Sequence, residues 1–171
     1  MDLRRFFDRA IRASFRDLAL EDDPAAPYLA DLLTRFARTD TLFQRGVTAP
    51  RLETVVDMLF EIQAVWRDDS PYFQPEREVE MRRHIGDFTL FMTGVFPERV
   101  ERVASRGYYI TQGKQAYRFV SEHDRATAKS GGPMFRRLAE RFESYARTLD
   151  YARRVYFADH PHLPFLRPGL G

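Results

Sequence analysis

Apolar residues recur at steps of three and four along most of the chain, and strand-like alternation is hardly seen. That period places apolar side chains on one face of an α-helix, so the sequence predicts an all-α fold. The first segment predicts a helix over about residues 2–19, with arginines and aspartates largely off its apolar stripe. A basic amphipathic helix can also lie on an anionic membrane. The aspartates among its arginines favour a helix of a bundle instead.

Prolines and glycines divide the rest of the chain into further helices. The predicted helices span about 27–38, 50–67, 76–96, 97–105, 107–124 and 133–157. We therefore expect a single helical domain over residues 1–157, built as a bundle of six or seven helices. The tail, 158–171, holds three prolines and cannot be a helix. We expect it to pack on the bundle or to be partly disordered.

The stretch "HIGDFTLFMTGVFPERV", residues 84–100, is apolar almost all the way round its helix. A helix that is apolar on every side is buried on every side. Residues 76–96 are therefore predicted to form the central helix of the bundle. Gly86 and Gly94 remove bulk from this helix, which indicates close approach by the next long helix with its own Gly113.

Asp87 is the one charged residue between positions 85 and 96. An unpaired charge in the core costs several kcal/mol, so Asp87 is predicted to have a partner. The candidate partners are Arg82, Arg83, His84 or a tyrosine hydroxyl from 107–117. Two interpretations stay open: Asp87 is a scaffold group in a buried ion pair or hydrogen bond, or it anchors a ligand or a reaction.

The predicted helix at 107–124 is rich in groups that are both apolar and able to form hydrogen bonds. Such a helix is typical of a pocket wall, where a few polar groups orient a ligand against apolar surface. It also fits a packed core helix whose tyrosine hydroxyls have buried partners. The candidate ligand-binding residues are Asp87, Tyr108, Tyr109, Gln112 and Tyr117.

The last predicted helix has the most regular pattern of the chain, with steps of three and four over three heptads. This apolar seam consists of Phe135, Leu138, Phe142, Tyr145, Leu149, Ala152 and Tyr156. It packs either inside the bundle or against a second copy of the chain. In the second case the homodimer contacts are Phe135, Leu138, Phe142, Tyr145 and Leu149.

Composition removes several kinds of chemistry. The 171 residues include no cysteine, which excludes disulfides, thiol catalysis and thiolate metal sites and fits a reducing cytoplasm. The sequence has no Gly-x-Ser-x-Gly element and no P-loop. No apolar run approaches the ~18 residues of a membrane span. We expect a cytoplasmic protein without a cofactor and without a membrane span.

A metal site is the best remaining possibility for an enzyme. His84 and Asp87 are three residues apart and share a helix face, with Glu80 one turn earlier. A metal needs further ligands from a second helix, and the chain has only 4 histidines. We therefore expect no metal, with His84 and Asp87 as the nearest candidates.

Charge is distributed unevenly around a net value of +2. Residues 20–80 hold 6 basic and 13 acidic residues, whereas the rest hold 21 basic and 12 acidic. Either the two parts attract each other within one fold, or a basic face docks an acidic partner. A nucleic-acid binder usually has a larger and more clustered excess, so we expect no nucleic-acid partner.

Two motifs carry a resemblance to a family. "HIGDFTLFMTGVFPE" and "YYITQGKQAY" resemble the Gly-Asp…Leu-Phe…Gly…Phe-Pro-Glu and Tyr-Tyr…Gly…Ala-Tyr elements of a family of uncharacterised bacterial all-helical proteins. The similarity covers roughly residues 80–120. It implies that the two elements belong together in a helical fold, and it implies no catalytic residue.

The sequence thus favours a soluble bacterial helical protein that acts as a non-enzymatic protein-interaction or regulatory module. The first alternative is a small-molecule-binding protein with a pocket at Asp87, Tyr108, Tyr109 and Gln112. The second alternative is a metal-dependent enzyme.

Overall fold

The computed structural model describes residues 2–20, 23–44, 75–161 and 163. These residues form helices and no strand, which confirms the predicted all-α bundle. The predicted helix at about 50–67 lies outside the described residues. The helices are α1 (Leu3–Asp17), α2 (Ala26–Gln44), α3 (Pro75–Val95), α4 (Pro97–Val103), α5 (Arg106–Ala126), α6 (Gly132–Glu140) and α7 (Phe142–Val155).

Local chemistry sets where the helices begin. The Asp2 carboxylate caps α1 by accepting a hydrogen bond from the Arg5 N–H at 3.2 Å. The Ser105 hydroxyl does the same for α5, accepting from the Tyr108 N–H at 3.0 Å. Pro97 opens α4, where its missing N–H has no intrahelical partner to lose. The described helices other than α7 begin within one residue of their predicted starts.

Helix α3 is the central element of the described bundle. It packs against α2, α4, α5 and α7, and its contact with α5 is the most extensive between any two described helices. Its second half, from Ile85 to Val95, is buried on nearly every side. The prediction of a central buried helix at 76–96 is therefore confirmed.

Glycines let α3 and α5 approach closely, as predicted. A Cβ atom on Gly86 would lie 2.6 Å from the ring of Tyr117 on α5. A Cβ on Gly113 would collide with the Thr89 hydroxyl of α3 and with the ring of Phe142. Any larger residue at either glycine would push the two helices apart.

Gly94 has a different neighbour from the predicted one. A Cβ at this position would lie 2.6 Å from Cβ of Leu149 and 3.1 Å from the carbonyl oxygen of Ala146, both on α7. The prediction that Gly94 also pairs α3 with α5 is therefore wrong. The side of α3 that carries Gly94 faces α7.

The last predicted helix, 133–157, is two helices. Helix α6 ends at Glu140 and α7 begins at Phe142, with Arg141 at φ −112° and ψ 24° between them. The heptad spacing runs through this point, but the two halves pack on different elements. Helix α6 lies mainly on α5, whereas α7 packs on α3 and α1, and this requires a change of direction. The prediction of one continuous helix is wrong for this reason.

The seam side chains face the core of their own chain. All of the seam residues before Tyr156 are at most 8% exposed. This packing corresponds to the first interpretation of the seam, in which it lies inside the bundle.

The beginning of the tail folds back on α1. Phe157 and Leu163 are completely buried, and the Phe157 ring lies 5.4 Å from that of Phe7. The ring of His160 lies 4.7 Å from that of Phe6. The tail therefore packs on the bundle through His160 and Leu163. Residues 164–171 lie outside the described part of the chain.

The apolar stripe of α1 also faces inward. Its large residues Phe7, Ile11 and Phe15 are at most 2% exposed. In this fold the stripe is therefore not available to a membrane surface. Among the described residues, no helix is long and apolar enough to cross a membrane.

Two glycine-to-alanine changes in α5 test the close packing. Gly113→Ala should lower the free energy of unfolding by about 1–3 kcal/mol, because the added methyl group collides with Thr89 and Phe142. Gly107→Ala is the matched control: nothing lies within 4 Å of its Cβ position, so the helix should gain about 0.5 kcal/mol. Urea unfolding measures both. A stabilising Gly113→Ala would contradict the packing described here.

Candidate functional site

Asp87 lies at the meeting point of three helices. Its side chain is 1% exposed, and both carboxylate oxygens accept hydrogen bonds. Oδ1 accepts from the hydroxyl groups of Tyr28 on α2, at 2.6 Å, and Tyr117 on α5, at 2.7 Å. Oδ2 accepts from the guanidinium of Arg35 on α2 at 3.1 Å. The carboxylate of α3 is thus enclosed by groups of its own chain.

The predicted partner of Asp87 is confirmed in part. Tyr117 belongs to the predicted set of tyrosines at 107–117. Arg82 does not pair with Asp87; its guanidinium contacts Glu78 at 3.3 Å. Tyr28 and Arg35 were not predicted. They are seven residues apart and so lie on one face of α2, which is the only sequence signal that links them.

The electrostatics of the site keep its donors protonated. Burial, followed by the negative charge of Asp87, raises the pKa of the Tyr28 and Tyr117 hydroxyls. Burial acts to lower the pKa of Arg35, but the charge and hydrogen bond of Asp87, together with Tyr28 and Asp31, raise that pKa overall. Both phenols are therefore neutral hydrogen-bond donors at neutral pH, and Arg35 is a cation.

A second buried carboxylate, Asp23, lies between α1 and α2 and was not predicted. Its side chain is 3% exposed. It accepts hydrogen bonds from Arg137 at 3.1 and 3.2 Å and from the Tyr145 hydroxyl at 2.9 Å. Arg141 adds an ion pair at 3.6 Å. Burial acts to raise the pKa of Asp23, but hydrogen bonds from Arg137, the Ala25 N–H and Tyr145 lower it overall.

Asp17 forms a third cluster, at the surface. The hydroxyl groups of Tyr151 and Tyr156 both donate to its Oδ2, at 2.9 and 2.5 Å. The hydrogen bonds from Tyr156 and Tyr151 lower the pKa of Asp17. Asp17 ends α1, whereas the two tyrosines lie on and just after α7.

These aspartate–tyrosine clusters share one structural role. Each joins α1, α2 or the segment between them to the helices α3 to α7. We call α1 and α2 the N-terminal helix pair. Aromatic contacts support the same interface, including the stacked rings of Phe36 and Phe91 at 4.4 Å. The polar clusters therefore dock the N-terminal helix pair on the rest of the described bundle.

His84 lies beside Asp87 and packs against α2. Its ring stacks on Phe36, with ring centroids 6.4 Å apart. Burial lowers the pKa of His84; the charge of Asp87 opposes this shift and that of Arg35 adds to it. Among the described residues, no group of three or more His, Asp or Glu side chains is placed to hold a metal.

The predicted ligand-binding residues divide between two apolar clusters. Tyr117 and Asp87 meet directly. Tyr109 is buried in a second cluster with Ile85 and Val100, and Tyr108 packs against that cluster. Burial raises the pKa of Tyr109. The pocket built from these residues and the half-buried Gln112 stays a prediction.

The outer face of α1 carries an arginine groove, which we define by its lining: Arg4, Arg5, Asp8, Arg9, Arg12 and Pro27. The groove has a volume of about 430 Å³ and is open to solvent. In this groove the first turn of α2, at Pro27, lies beside the first half of α1. The arginines were visible in the sequence, but the apposition of Pro27 was not.

No protein-family model, curated protein or solved structure matches this chain. The family resemblance drawn from the two sequence elements stays a prediction.

Replacing Asp87 with asparagine tests the buried network. Asp87→Asn should lower the free energy of unfolding by about 2–4 kcal/mol, because Arg35 loses its buried counter-charge. Asp31→Asn is the matched control. Asp31 pairs with the same arginine at 3.0 Å, but it is 57% exposed, so its loss should cost less than about 1 kcal/mol. Equal effects of the two changes in urea unfolding would contradict the network.

The histidine beside the network gives a pH-dependent prediction. The pKa of His84 is lowered in the folded protein, so below about pH 6.5 the unfolded chain binds this proton more readily. The free energy of unfolding should therefore decrease as the pH is lowered from 7 to 5. His84→Gln should flatten that slope, as urea unfolding at several pH values would reveal. An unchanged slope in the variant would show that another group is responsible.

Proposed function

We propose that this chain is a non-enzymatic protein-interaction module, bacterial and cytoplasmic, that docks its partner on the outside of a closed helical bundle. The observation that carries the proposal is that both carboxylate oxygens of Asp87 already accept hydrogen bonds from the same chain. This carboxylate was the leading candidate for a catalytic or ligand-anchoring group. Its hydrogen bonds go to Tyr28, Tyr117 and Arg35 of the same chain, so its role is to hold helices together.

The second buried carboxylate supports the same proposal. Asp23 is occupied by Tyr145, Arg137 and Arg141, and it too joins separate helices. A catalytic acid or base must reach its substrate, either directly or through one water molecule. Carboxylates with side chains 1% and 3% exposed and filled with intramolecular donors do not offer that access. Interactions at the outer surface are the function that this arrangement favours.

The buried position of the apolar seam on α6 and α7 argues for a monomer within this proposal. A homodimer through Phe135, Leu138, Phe142, Tyr145 and Leu149 would have to draw these side chains out of the core, where they are at most 8% exposed. Exposing that much apolar surface would be costly. We therefore propose that the module acts as a monomer, and light scattering at high micromolar concentration should give the mass of one chain.

Site-specific photo-crosslinking in cells tests for a partner. A photoreactive phenylalanine analogue replaces one exposed residue on each of three faces: Arg16 on α1, Thr111 on α5 and Arg147 on α7. Arg16 lies one turn beyond Arg12 and outside the lining of the arginine groove, so the groove stays intact. At least one position should give a light-dependent adduct whose mass exceeds that of the chain by a fixed amount. No adduct at any position would overturn the proposal. An adduct with the mass of two chains would restore the homodimer.

A further inference from the structure

We infer that the arginine groove on α1 is the docking surface of this module and that its partner is an acidic helix. This inference rests on the proposed function, because it names the surface and the chemistry of the partner. The groove combines a concave shape with a concentration of one charge.

The net charge of the groove is strongly positive. Four arginines line it against one aspartate. Asp8 is already neutralised, since Arg12 contacts it at 3.0 Å and Arg4 at 3.6 Å. Arg9 has no hydrogen-bonding or ionic partner among the described residues. Arg5 pairs with Asp2 at 3.6 Å, but this pair lies at the surface, with side chains that are 81% and 59% exposed. Arg9 is thus free to receive a carboxylate, and Arg5 can exchange an exposed, solvent-screened ion pair for another one.

The buried face of α1 fixes the side of the bundle on which these arginines lie. Phe7, Ile11 and Phe15 lock one side of α1 into the core. Arg4 is fastened further, because its guanidinium donates to the carbonyl oxygen of Pro27 at 3.1 Å. The groove is therefore preformed, and a partner does not have to order the helix that recognises it.

The spacing of the arginines indicates a helical partner. Arg5, Arg9 and Arg12 follow one another at steps of four and three, so they lie along one face of α1. The distance from Arg5 to Arg12 along the helix axis is about 10 Å. A second helix with carboxylates at the same steps presents its charges at the same repeat. An antiparallel acidic helix would match each of these arginines in turn.

A nucleic acid is a poorer match for the same surface. Tracking a phosphate backbone calls for a longer basic stripe than two helical turns, together with exposed aromatic groups for stacking. The aromatic residues of α1 are turned toward the core, with Phe7 and Phe15 at most 2% exposed. Rows of carboxylates on a helix are therefore the favoured ligand.

Two synthetic peptides of identical composition test the inference. One 21-residue alanine-based peptide carries glutamates at alternating steps of three and four, and the other has the same glutamates scattered around the helix. Calorimetry with the full chain at low salt should show about fivefold tighter binding of the first peptide, with affinity falling as salt is added. A single-stranded oligonucleotide of equal charge is the third probe.

Charge-neutral variants locate the binding. Arg5→Gln/Arg9→Gln should weaken binding of the first peptide about tenfold. Arg136→Gln/Arg154→Gln is the control, because it removes the same charge from residues that are 72% and 60% exposed on α6 and α7. The control should bind within about twofold of the unmodified chain. Circular dichroism verifies that both variants keep the fold.

Three results would overturn the inference: equal loss of binding in both variants, equal binding of the two peptides, or tighter binding of the oligonucleotide. The photo-crosslinking experiment separates this failure from failure of the proposed function. A partner adduct at Thr111 or Arg147 without one at Arg16 would reject the arginine groove and keep the interaction module. No adduct on any face would reject both.

Discussion

The carboxylate of Asp87 constrains how the described helices fit together. A charge enclosed in the core must receive hydrogen bonds from the protein, and a single neighbouring helix does not supply enough of them. Here α2 supplies Tyr28 and Arg35, and α5 supplies Tyr117. The three helices therefore have one relative arrangement in which Asp87 is satisfied. Gly86, one residue away, makes room for the Tyr117 ring that this arrangement requires.

Asp23 and Asp17 extend this principle to the rest of the N-terminal helix pair. The hydrophobic effect is not directional, so apolar burial alone constrains the register of two helices less than hydrogen bonds do. Hydrogen bonds from phenols and guanidinium groups to fixed carboxylates remove that freedom. The outer face of α1, with its arginines, is thereby held at a defined position relative to α7.

The sequence predicted what depends on local chemistry and on periodicity. Helix starts such as that of α4 followed from prolines such as Pro97, and the central helix followed from its apolar circumference. The change of direction at Arg141 left no trace in the heptad spacing, because it arises from which helices α6 and α7 pack against. Of the three hydrogen-bond partners of Asp87, only Tyr117 was among the predicted candidates. Tyr28, Arg35 and all of the Asp23 cluster come from distant parts of the chain, and their apposition is a property of the tertiary fold.

The aspartate–tyrosine clusters also have a consequence for the order of folding. Tyr145 is 122 residues from Asp23, and Tyr156 is 139 residues from Asp17. Contacts between such distant residues form late, since the loop that they close loses much conformational entropy. Helix α1 and helix α7 can each form early from local contacts. The hydrogen bonds between their aspartates and tyrosines can form only after both helices have been synthesised. During synthesis, Asp17 and Asp23 therefore stay hydrated until α7 has left the ribosome. Only then can the N-terminal helix pair dock through these carboxylates.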